Sequence, residues 1–145
     1  EDPPLWCEGG HNPAALEAFV GEFKRATISG NKVLLVGFKG DKVIDESVAI
    51  LAALKPAIVI TTESPAMTPM PAETIATAFR QACPDAIVMA IPHLNAAIEH
   101  WLQALRRHPS PVGLVIGSLY LCGDVRNLLT PERLSATFPV PGVSQ

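Results

Sequence analysis

Leu5-Trp6-Cys7-Glu8-Gly9-Gly10-His11-Asn12-Pro13 opens the chain with an apolar triplet, a carboxylate, two glycines and a helix start. Leu5-Trp6-Cys7 reads as a short buried strand. Gly9 and Gly10 let the backbone turn sharply and approach a ligand closely. Asn12 is a favoured N-cap residue, and Pro13 suits the first helical position. The stretch is therefore a strand, a tight loop and a helix N-terminus facing open space. Unpaired N–H groups and the helix dipole make such an end receptive to an anion. The dipole contributes only about 0.3–1 kcal/mol, so neighbouring side chains must supply specificity.

The same alternation continues through the 145 residues. Residues 13–27 place Leu16, Phe19, Val20 and Phe23 on one helical stripe. Residues 32–38 read as a buried strand. Residues 41–55 bring Ile44, Val48, Leu51 and Leu54 to one face of a helix, and Pro56 ends it. Residues 57–61 are apolar and β-branched. A proline-rich loop over residues 64–70 precedes a helix over 71–83, with Ile75 and Phe79 inward. Residues 86–91 form a fourth apolar run. Leu94, Ile98, Trp101, Leu102 and Leu105 mark the next helix, which ends in Arg106-Arg107-His108-Pro109. Residues 112–116 are the fifth run, and another helix beyond Ser118 carries Val125, Leu128 and Leu129. The tail after Thr137 reads as loop.

Near-continuous apolar strands alternating with amphipathic helices imply a parallel sheet covered on both faces. The expected fold is one doubly wound α/β domain over residues 1–145, with a mostly parallel sheet of about five or six strands. In such sheets ligands bind beyond the carboxyl ends of the strands. The glycine-containing loops at residues 8–12, 37–42 and 117–118 then share one rim, which is the expected site.

Composition narrows the function. Apolar residues make up 48% and charged residues 17% of the chain, enough to build a core. A net charge of −3 argues against a nucleic-acid binder working through a basic surface. No run of about 18 apolar residues is present to span a membrane. The acidic start, Glu1-Asp2-Pro3-Pro4, lacks the pattern of a signal peptide. Cys7, Cys83 and Cys122 form no C-x-x-C pair, and each reads as a small buried apolar residue in a reduced, cytoplasmic protein. There is no P-loop and no G-x-G-x-x-G. His11, His93, His100 and His108 have no metal-ligand spacing with the cysteines, so no metal site is expected. Ser118 lies outside a G-x-S-x-G elbow. The third strand ends Thr61-Thr62-Glu63, without the aspartate a phosphorylated receiver needs.

Glu8-Gly9-Gly10-His11-Asn12-Pro13 resembles the Asp-Gly-Ala-His-Asn-Pro motif opening the C-terminal domain of folylpolyglutamate synthase and dihydrofolate synthase, members of the Mur ligase superfamily. Gly117-Ser118-Leu119-Tyr120-Leu121 is similar to that family's closing Gly-Ser-Leu-Tyr-Leu segment, and residues 37–42 fall where it has a Gly-x(n)-Asp-Lys-Asp loop. The order and spacing of all three agree over nearly the whole chain. The resemblance implies an ATP-dependent, Mg2+-requiring ligase that joins L-glutamate to a folate or dihydropteroate through an acyl phosphate. It also implies that the P-loop and metal ligands lie in a central domain, which with the N-terminal domain is outside this chain. The isolated domain is then expected to hold no cofactor and to be inactive.

The resemblance implies roles for individual residues. Glu8 takes the place of the aspartate that contacts the nucleotide ribose. His11 falls near the reacting phosphate and the incoming glutamate, as the catalytic candidate, and Asn12 belongs to the same nucleotide-binding stretch. Ser118 falls beside the glutamate carboxylate. Asp41 and Lys42 are assigned to phosphate contact or to structure, with helix capping favoured for Asp41. Lys39 and Lys42 read as solvated lysines that phosphate could attract. Three positions depart from the family pattern: Glu8 is a methylene longer than aspartate, Val43 replaces a second aspartate, and Ala66 lies where an arginine is common. The departures mark a divergent member, and keep two alternatives in view: a non-catalytic binding module, and the same domain from a ligase acting on a cell-wall precursor.

Overall fold

Strands and helices alternate through residues 5–128 in a computed structural model that describes residues 3–10, 12–26 and 28–138. The order is β1 (Leu5–Glu8), α1 (Pro13–Arg25), β2 (Asn31–Val36), α2 (Asp45–Ala52), β3 (Ile58–Thr61), α3 (Ala72–Ala82), β4 (Ile87–Ala90), α4 (Leu94–Arg107), β5 (Pro111–Ile116), α5 (Leu119–Leu128) and α6 (Pro131–Thr137). The strands form one sheet in the order β1-β5-β2-β3-β4. Every pairing is parallel. The fold is the doubly wound α/β architecture expected from the alternation, with five strands among the described residues.

Side chains alternate across each strand and so divide the interior into two cores. Leu34, Val36, Val59, Leu114 and Ile116 face α1, α2 and α3. Val33, Leu35, Ile58, Ile60 and Val115 face α4 and α5. The central strand β2 buries all four residues from Val33 to Val36 completely. On the second face Trp101 of α4 is fully buried, and its indole N–H donates to the Val33 carbonyl at 3.0 Å. Gly113 makes room for it: a Cβ there would meet Trp101 Cζ2 at 2.8 Å.

Two local expectations are corrected. Leu5-Trp6-Cys7 is an edge strand rather than a buried one, with Trp6 and Cys7 exposed, because only β5 pairs with it. The second helix begins at Asp45, not at Asp41. After β2 the chain stays extended and pairs with the proline-rich loop instead: Gly40 N–H donates to Thr68 O at 2.9 Å, and Met70 N–H donates to Phe38 O at 2.9 Å. A turn follows directly, with Lys42 N–H donating to Lys39 O at 3.2 Å, and the helix starts only after residue 44. Asp41 therefore caps nothing; Ile44 occupies the N-cap, without a side-chain bond. Residues 131–137, for which the sequence pattern gave no reading, form α6, capped by Thr130, whose hydroxyl accepts from Arg133 N–H at 3.2 Å.

Candidate functional site at the sheet rim

The strand register brings the carboxyl ends to one line. Glu8 pairs with Ile116, Ile116 with Val36, Val36 with Thr61, and Thr61 with Ala90. The connection leaving β2 runs towards β3, whereas α5, which leaves β5, packs against β5 and β1. The crevice between β2 and β5 is the topological switch point, where such sheets bind ligands.

Glycines close the crevice tightly. Gly117, at a φ of +122°, occupies backbone space that side-chain-bearing residues rarely adopt. A Cβ at Gly117 would lie 2.2 Å from Gly37 O. Gly37 N–H in turn donates to Ile116 O at 3.2 Å. The first loop joins the same corner: Gly117 N–H donates to Glu8 O at 3.4 Å, and a Cβ at Gly9 would strike Leu119 Cδ2 at 2.3 Å. Three loops distant in sequence thus meet.

Glu8 and Ser118 stand on neighbouring strand ends. The Glu8 carboxylate bends back over its own loop, where Oε1 accepts from Gly10 N–H at 2.8 Å. Ser118 is buried and is the N-cap of α5; its hydroxyl oxygen accepts from Leu121 N–H at 2.9 Å. That leaves its O–H free in direction to donate. Asn12 caps α1 as its position predicts, with Oδ1 accepting from Ala15 N–H at 2.9 Å, and Pro13 takes the first helical turn. His11 lies outside the described residues.

A hollow of about 310 Å³ opens in front of Ser118. Lys39, Lys42, Met67, Gly117, Leu119 and Tyr120 complete its wall. Two lysines, a serine and the start of a helix border it, residue types suited to a carboxylate or phosphate. Leu119 and Tyr120 are exposed at its lip, 73% and 55% respectively. Asp41 is exposed and does not line the hollow. Lys39 is the lining residue that sequence reading undervalued. Its signal was its place two residues beyond Gly37, at a strand end bordering the switch point.

A second, larger hollow of about 540 Å³ lies further along the rim, between the loops after β3 and β4 and the side of α5. Its base is tied by Ser64, fully buried, whose hydroxyl donates to Asp124 Oδ2 at 2.5 Å. Glu63 borders it but is committed to structure, since Oε2 accepts from Ala72 N–H at 2.9 Å and so caps α3.

Elsewhere at this corner, the neighbouring Cys122 thiol, aided by Arg126, holds Cys7 down at about 6 against the cost of burial. The Cys7 thiol and burial push Cys122 upwards. Cys7 is thus not the inert buried residue expected, whereas Cys83 and Cys122 are buried. Among the described residues no group of His, Cys, Asp or Glu could hold a metal ion, and no helix is long and apolar enough to cross a membrane.

The fold and rim define a doubly wound α/β domain with a lysine-bordered hollow at its switch point and no phosphate-binding P-loop in its sequence. The family described as Mur ligase, glutamate ligase domain, matches residues 3–119, and the chain belongs to it. No curated protein matches the chain. Among solved structures it is similar to Mycobacterium tuberculosis folylpolyglutamate synthase complexed with ADP, at 23% identity and a TM-score of 0.73, over 83% of this chain and 28% of that one. It is also similar to E. coli FolC in complex with DHPP and ADP, at 19% identity and a TM-score of 0.70, over 86% of this chain and 28% of that one. A domain from a putative UDP-N-acetylmuramate:L-alanyl-gamma-D-glutamyl-medo-diaminopimelate ligase of Haemophilus ducreyi matches at 13% identity and a TM-score of 0.56, over 94% of this chain and 98% of that one. These likenesses establish the fold. The chain spans about 28% of the length of the synthases it matches.

Proposed function

We propose that this chain is the C-terminal domain of an ATP-dependent ligase that adds L-glutamate to a folate or dihydropteroate through an acyl phosphate. The observation that carries the reading is the hollow where Lys39, Lys42 and Ser118 converge at the start of α5. It sits beside the Glu8 loop, the position of the family's ribose-contacting residue. The family resemblance assigns Mg2+ and the triphosphate to a central domain. This domain's own groups orient and neutralise. The Glu8 oxygen not held by Gly10 accepts from a ribose hydroxyl, and Lys39, Lys42 and Ser118 receive the carboxylate of the incoming glutamate. His11 and Asn12 follow Glu8 in sequence, and Asn12 caps α1. Such groups accelerate amide formation by positioning and charge stabilisation.

The test is an assay of the full-length enzyme with ATP, L-glutamate and a folate or dihydropteroate, beside a parallel assay with a muramoyl-peptide precursor. Glutamylation of the pterin substrate is expected, with His11→Ala lowering turnover at least about ten-fold, equivalent to about 1.4 kcal/mol. Turnover of the cell-wall precursor alone would assign the domain to that branch of the family. Absence of any ligase activity would favour a binding module, the reading that the departures at Glu8, Val43 and Ala66 support. The 145-residue chain by itself is expected to show no ATP hydrolysis.

A further inference from the structure

Cys7 and Cys122 come from opposite ends of the chain and meet on one side of the sheet. Cys7 lies on β1 in register with Val115 of β5. Cys122, in α5, packs over that strand pair with its thiol directed at Val115 O, 3.8 Å away. Cys7 lies on the same face of β1 as Leu5, which packs in the core that holds Cys122. The two differ in access: Cys7 is exposed on the edge strand, while Cys122 is buried. The charged groups facing the pair are Arg126 of α5, one turn beyond Cys122, and Glu8 of β1. The third thiol, Cys83, closes α3 and packs in the other core, away from this pair.

We propose that Cys7 and Cys122 are a redox-active dithiol, in which a peroxide oxidises the exposed Cys7 and the buried Cys122 resolves it into an intramolecular disulfide. Neither the folate reading nor the ligase reading is needed for this step. Accessible thiols beside a cation and next to a second thiol are the ones that take this route. In the first step the Cys7 thiolate attacks hydrogen peroxide. An S–O bond forms and the O–O bond breaks. The departing hydroxide takes up a proton as water, and Cys7 becomes a sulfenic acid. In the second step the Cys122 sulfur gives up its proton and attacks the Cys7 sulfur. The S–S bond forms, the S–O bond breaks, and the leaving hydroxide takes that proton as a second water. The pair loses two electrons and the peroxide gains them. The lowered Cys7 titration supplies thiolate at neutral pH, and Arg126 favours the same form.

The experiment treats the folded chain with stoichiometric hydrogen peroxide, alkylates the remaining thiols and reads intact mass and peptide linkage. The expected product is monomeric and lighter by two hydrogens, with Cys83 alone alkylated and a peptide pair joining Cys7 to Cys122. With Cys122→Ala the reaction halts at the sulfenic acid, captured on Cys7 by dimedone, and with Cys7→Ser no oxidised product forms. Iodoacetamide labelling of Cys7 in the reduced wild-type chain should outpace that of Cys83 at pH 7. Three unreacted thiols, a bridge to Cys83, or a bridge between chains would overturn the proposal. So would dimedone capture on wild-type Cys7 without bridge formation. The wild-type linkage map decides the question even if a variant fails to fold.

Discussion

Ser118 has two duties that substitution can separate. Its hydroxyl oxygen caps α5 by accepting from Leu121 N–H, and the residue lines the hollow shared with Lys39 and Lys42. Ser118→Ala removes both duties and should cost about 1 kcal/mol of stability through the lost cap. Ser118→Asp keeps a good capping acceptor but puts a negative charge where an anion is to bind. It should unfold in urea within about 0.5 kcal/mol of wild type, while raising the KM for glutamate in the full-length enzyme by about ten-fold or more. Equal KM values for wild type and Ser118→Asp would separate the hollow from glutamate binding. Ser118 was legible in the sequence as either a cap or a ligand contact because both depend on the same place, a strand end at a helix start. The geometry shows the capping duty directly. Cys7 was misread for an equally physical reason. An apolar triplet resembles an interior strand, and nothing local reveals that β1 has a neighbour on one side only.

At the level of elements, the strands were legible because both their faces are buried. Val33, Leu35 and the other central residues leave no polar alternation to confuse the reading. The start of α2 was not legible, since it depends on residues 38–40 meeting residues 68–70 across thirty positions of sequence. The helix α6 carried a readable signal that its short length concealed: a capping threonine, then proline, then glutamate. Trp101 shows how an amphipathic pattern becomes specific packing. Its apolar body fills the space that Gly113 leaves open, while its N–H meets a carbonyl of the central strand. Trp101→Phe keeps most of the apolar area but removes a buried donor. The expected loss is about 1–2 kcal/mol in chemical denaturation, rising to about 3–5 kcal/mol for Trp101→Ala, which also opens a cavity. A Phe variant as unstable as the Ala variant would place the weight on the indole's shape rather than on its hydrogen bond.

The whole molecule is acidic, with a net charge of −3, yet the switch-point hollow is lined by Lys39 and Lys42 with no carboxylate among its lining residues. That local reversal is a product of topology. The strand order sets β2 beside β5, so the loop carrying both lysines faces the start of α5, about eighty residues later in sequence. Sequence reading placed the glycine loops on one rim from the alternation alone, but could not say which residues turn inwards; that required the Gly37–Gly117 contact and the pairing of Gly40 with Thr68. Within a shaped, partly dry hollow, two ammonium groups act together on an anion more strongly than on the open surface. In the full-length ligase, Lys39→Met and Lys42→Met should each raise the KM for glutamate by about three- to ten-fold, about 0.7–1.4 kcal/mol. Turnover at saturation should change less, because a uniform binding contact affects ground and transition states alike. The double variant should also flatten the fall of kcat/KM with added salt, since salt acts by screening the charges it removes. If both lysines can be neutralised with KM and salt dependence intact, the anion is held elsewhere on the rim.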